Sequence, residues 1–97
     1  MEQKTAQLIH SKIVGCTTIT PKNSTDFSLD ELYKLIGCDK VELLTVYGVR
    51  AGNEPCYLIF DEEGRFKDNL CLNRYASVLA GITIVGDAIL CPRSMFI

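Results

Sequence analysis

Apolar residues along the chain recur with two different periods, one helical and one extended. Between positions 28 and 37, Leu29, Leu32, Tyr33 and Ile36 fall at helical spacing, forming one apolar stripe. Ser28 and Glu31 stand three apart, the spacing at which a hydroxyl and a carboxylate cap each other's backbone amides. Phe27, just outside, is placed to pack on Leu32, and Gly37 supplies the left-handed residue that ends many helices. A second helix is predicted to start at Asn73, a preferred N-cap, and to stop at Gly81, with Leu72, Tyr75, Ala76 and Leu79 on one face.

The remaining runs are rich in β-branched and aromatic residues. Positions 13–20 read as a first core strand ending at Pro21, which has no amide to give to a ladder. Positions 41–47 and 56–60 read as a hairpin pair whose connection contains Ala51-Gly52-Asn53-Glu54-Pro55. Asp61-Glu62-Glu63-Gly64 closes the second of these strands, with Gly64 available for a positive-φ turn position. A last strand covers 84–91, with Gly86 as a bulge.

This order, β-α-β-β-α-β, predicts a single α+β domain over residues 13–91: an antiparallel sheet with two helices on one face, the split βαβ or ferredoxin-like arrangement. Residues 1–12 fall outside it as an N-terminal arm, and 92–97 form an apolar C-terminal tail. Large apolar residues at a chain end have to dock somewhere. Met95, Phe96 and Ile97 either fold back on their own domain or make an interface with a second copy or a host protein.

Composition narrows the picture. The 97 residues are 47% hydrophobic and 23% charged, which predicts a folded globular domain rather than a disordered one. A formal charge of −2 gives no general attraction to nucleic acid or to an anionic membrane. Positions 82–91 are about half the length of a membrane span and are interrupted by Gly86-Asp87, and the first residues lack a secretory apolar core. The expected location is the cytoplasm. Five cysteines without a Cys-x-x-Cys pair read as buried thiols of a reducing compartment rather than as a disulfide or zinc framework.

Candidate chemistry is sparse. Asp61, Glu62 and Glu63 could hold a hard cation, although a solvated turn explains them as well and no EF-hand spacing accompanies them. Arg65, Lys67 and Arg74, with Asn73 among them, are candidate ligands for an anion or a nucleotide phosphate. Tyr57 and Phe60 occupy the strand that stacks bases in RNA-recognition domains, but the accompanying basic and glycine signature is missing and the two rings alternate faces. His10 is the only histidine and belongs to no recognised nucleophile motif; there is no phosphate-binding glycine loop. The residues predict no enzyme and no cofactor.

Several segments in order carry a family resemblance: Leu35-Ile36-Gly37-Cys38 before Val41-Glu42, then Asp61-Glu62-Glu63-Gly64, Leu72-Asn73-Arg74-Tyr75-Ala76, and Ile84-Val85-Gly86-Asp87-Ala88-Ile89-Leu90. From about residue 17 to 91 the chain resembles a family of small domains of unknown function found in bacteriophages, plasmids and conjugative elements. It departs from that family at Leu70-Cys71-Leu72, where members commonly carry a proline, and in its additional N-terminal arm. The resemblance implies a setting rather than an activity: a modulator or inhibitor of a bacterial host protein such as a nuclease or defence factor, acting through a sheet edge or the terminal arms. A domain that sequesters nucleotides or anions is the alternative, RNA binding a third reading, and a homodimer is compatible with each.

Overall fold

The computed structural model describes residues 5–23, 25–47, 55–67 and 70–96. Among them the chain forms five strands and two helices: β1 (Ala6–Ile9), β2 (Cys16–Ile19), α1 (Leu29–Ile36), β3 (Val41–Val46), β4 (Cys56–Asp61), α2 (Arg74–Ala80) and β5 (Ala88–Pro92). The strands make one antiparallel sheet in the order β2-β1-β5-β4-β3. The α+β class therefore holds, but the element order is β-β-α-β-β-α-β. Ala6–Ile9, expected within an arm, is a strand inserted between β2 and β5. Its four residues are too few to announce a strand by alternation, yet Ala6 and Ile9 are both buried.

That insertion displaces the expected first core strand to the margin. Among the described residues β2 pairs only with β1, and Cys16, Thr17 and Thr18 are exposed. Segment 20–40 then runs from one edge of the sheet to the other, and α1 crosses one face on the way. Leu32, Leu35 and Ile36 of α1 pack with Ile59, Ile89 and Cys91. The other helix takes the opposite face, where Ala76, Leu79 and Ala80 meet Leu58, Phe60, Ala88 and Leu90. Two helices on one face is thus corrected to one helix on each. The physical reason is that β4 and β5 are apolar on both faces, since Cys56, Leu58 and Phe60 alternate with Tyr57 and Ile59 and all need cover.

Local signals fix the helices as the sequence predicts. Ser28 and Glu31 form a reciprocal capping box, Phe27 and Leu32 are buried in one cluster, and Gly37 and Gly81 end the helices in left-handed conformations. The apolar stripes are narrower than expected, for Leu29, Leu72 and Tyr75 stand exposed. Burial of each large side chain such as Phe27 or Leu58 contributes roughly 1.5–3 kcal/mol.

The C-terminal tail folds back on the domain. Met95 is buried against α1, the Phe27 amide donates to the Met95 carbonyl at 2.8 Å, and the Phe96 ring meets Tyr57 edge-on at 5.5 Å. Met95 is therefore part of the core of its own domain, and Phe96 is half-buried on its own chain. Ile97 lies outside the described residues, as does most of the connection 51–55. Gly86, expected as a bulge inside the last strand, precedes β5, and its amide donates to the Cys71 carbonyl.

Candidate functional site

The two strands nearest the N-terminus form a hairpin whose turn, residues 10–15, is exposed and apolar at its tip. Ile13 and Val14 project into solvent. Polar contacts fix the base of this turn. The Ser11 amide and hydroxyl both donate to Asp87 Oδ1, at 2.9 and 3.0 Å, and tie the turn to the segment entering β5. His10 lies between Asp87 Oδ2, 3.9 Å from Nδ1, and the Thr17 hydroxyl, 2.6 Å from Nε2. The Asp87 separation exceeds hydrogen-bond length, so the carboxylate orients Ser11 rather than the imidazole. Neither His10 nor Asp87 was expected to be near the other from sequence, being 77 positions apart in the chain.

The hairpin also defines which main-chain groups are free. His10 donates to the Gly15 carbonyl, so the antiparallel alternation directs the amides and carbonyls of Cys16 and Thr18 away from β1. Among the described residues no strand pairs with that side. The usual obstacles to strand addition, lysine and proline, are missing from Cys16–Ile19. The opposite edge is better guarded, since β3 carries the charged Glu42 and follows Lys40.

Behind the turn, on the face covered by α2, lies a trough of about 590 Å³. Ile9, Ile13, Val14, Leu72 and Tyr75 supply its apolar walls, and Lys12 and Arg74 its cations. Among the described residues no carboxylate lines it. The signal for it in the sequence was the pair Ile13-Val14 before Gly15, which as part of a core strand would have been buried.

The expected ligand residues are dispersed. Arg74 lines this trough, Arg65 a depression beside Ile82 and Thr83, and Lys67 another beside Gly37 and Cys38. Lys67 is engaged with Asp61, whose Oδ2 lies 2.6 Å from Nζ, and that hydrogen bond holds the ammonium above its ordinary pKa. Asn73 is 1% exposed and uses every polar atom of its side chain internally. Of the acidic cluster, Asp61 is buried and also accepts from the Glu63 amide, whereas Glu62 and Glu63 face solvent, Glu63 near Lys40. The three carboxylates therefore serve different ends. Among the described residues no group of three or more His, Cys, Asp or Glu side chains is placed to hold a metal ion, and no helix is long and apolar enough to cross a membrane.

No protein-family model matches the chain, and no curated protein and no solved structure matches it.

Proposed function

We propose that the protein is a non-enzymatic interaction domain that engages a protein partner along the open β2 edge, as a modulator or inhibitor of a bacterial host protein. The supporting observation is the edge itself: an exposed, uncharged strand with outward amides and carbonyls at Cys16 and Thr18, beside an apolar turn tip. An extended segment of a partner added there gains main-chain hydrogen bonds for affinity, and Ile13 and Val14 offer apolar contact beyond the strand. The tail is a poorer candidate because Met95 is buried within the domain. The bacterial host follows from the resemblance to domains of mobile elements, which also sets the action in the host cytoplasm.

A photo-crosslinking residue at Cys16 tests this reading in bacterial cells. The expected product is an adduct with one host protein that disappears in a Thr18→Pro background. Proline at Thr18 removes an amide that points away from β1, so it blocks strand addition without breaking the internal ladder. Adducts only between copies of the chain, or capture unchanged by Thr18→Pro, would refute the proposal.

A further inference from the structure

The trough behind the hairpin turn has a chemistry of its own, separate from the strand edge. Its walls are apolar, its volume of about 590 Å³ lies within the range of small-molecule sites, and its charged lining among the described residues is cationic. Among the described residues no carboxylate lies within ion-pair distance of Lys12 or Arg74. Asp87, which is bonded to the turn from the segment entering β5, has one oxygen committed to Ser11 and the other near His10. Two cations lining an otherwise apolar recess complement a ligand that is apolar along its length and anionic at one end.

We propose that this trough binds amphipathic carboxylates of the medium-chain fatty acid class. The acyl chain lies against Ile13, Val14, Leu72 and Tyr75, and the carboxylate is met by Lys12 and Arg74. The Ser11–Asp87 contacts hold the turn in place, so the recess is formed before the ligand arrives. The site faces the α2 side, while strand addition proceeds along the outer margin of β2; Ile13 and Val14 border both, so loss of Lys12 and Arg74 reports on the trough and Thr18→Pro on the edge.

The test uses the full chain, with decanoate as the probe and decanol and decyltrimethylammonium as neutral and cationic counterparts. Titrations are followed by amide chemical shifts and by calorimetry. Decanoate is expected to give saturable shifts confined to residues 11–16 and 72–75 and to bind at least tenfold more tightly than decanol. Octanoate should bind about tenfold more weakly than decanoate, from the loss of two buried methylenes. The double variant Lys12→Gln, Arg74→Gln should lose the preference for decanoate and keep decanol binding, whereas Val14→Ser should weaken both. Both cations are exposed, and unchanged shifts in the rest of the spectrum verify the fold. Equal binding of the three probes, shifts centred elsewhere, or no saturation up to the solubility limit would each overturn the proposal.

Discussion

The side-chain nitrogen of Asn73 donates to the carbonyl of Ile9 at 3.0 Å, joining the last residue of β1 to the N-cap of α2 across 64 positions of chain. The same nitrogen donates to the Gly86 carbonyl at 3.0 Å, while Oδ1 accepts from the Ala76 amide at 3.1 Å. One buried amide thus fastens a strand, a helix and the approach to the central strand. Replacing it with alanine removes the cap and the side-chain donor shared by the Ile9 and Gly86 carbonyls, at a cost of about 3 kcal/mol. Asn73→Asp keeps the cap acceptor but abolishes both donors, and is expected to be no better. Urea unfolding of the two variants measures this; an aspartate variant close to the parent protein would show that the carbonyls do not depend on Asn73.

Lys67 and Asp61 make a stability contribution with a defined pH window. The Asp61 hydrogen bond raises the Lys67 pKa above its ordinary 10.5, so the contribution is fully present below that value and is lost as pH rises through the higher folded one. Lys67→Met leaves the Asp61 carboxylate buried without its counter-ion and should lower Tm at neutral pH. The difference in Tm between the two proteins should shrink above pH 10.5. A difference that persists there would assign the effect to packing of the lysine stem.

At the acid end the capping box behaves in the opposite sense. The amides of Lys22 and Ser28 donate to the Glu31 carboxylate and hold its pKa below the ordinary 4.5. The stabilisation is therefore present above pH 4.5 and disappears as pH falls through the lower folded value. Ser28→Ala should cost about 1 kcal/mol at neutral pH. Glu31→Gln should approach the parent protein in stability only in acid, as followed by thermal melts across pH 2–7.

Gly64 is needed for space. A methyl group there would sit 2.9 Å from the Val85 carbonyl oxygen, a backbone atom that cannot swing aside. Gly64→Ala is expected to destabilise the protein by about 2 kcal/mol, as overpacking of a closed site does. The turn Asp61-Glu62-Glu63-Gly64 suggests a positive-φ position at its glycine; Gly64 is instead the first residue of a 3-10 turn, and what it supplies is the missing Cβ.

Thiol reactivity separates the five cysteines. Cys16 and Cys71 are exposed and should react first with an aromatic disulfide reagent. Cys38 should follow slowly, because burial and the nearby Asp61 carboxylate raise its pKa above 9.0 and deplete the thiolate. Cys56 and Cys91 are buried and should react only on unfolding. Fast reaction of all five under native conditions would contradict the described packing.

What the sequence conveyed was local. Capping at Ser28 and Asn73, the staple of Phe27 on Leu32 and the hairpin strands are set by neighbours a few residues apart, and each is legible in the chain. The face chosen by each helix is not local, because Leu58 and Ile59 look alike in sequence while pointing to opposite cores. β1 is not legible locally because its register depends on Ile89 and Leu90, about 80 positions along the chain. The trough followed it out of sight: only once β1 holds β2 at the margin do Ile13 and Val14 become surface residues beside Tyr75.

The position of β5 has a consequence for synthesis in the cell. This strand occupies the middle of the sheet, between β1 and β4, although it follows the other four described strands in the chain. Until it has emerged from the ribosome, the nascent chain holds two separate hairpins with no partner for their inner margins. The domain should therefore acquire protease resistance only after β5 is released, and a pause in translation before Ala88 would prolong its exposure to chaperones.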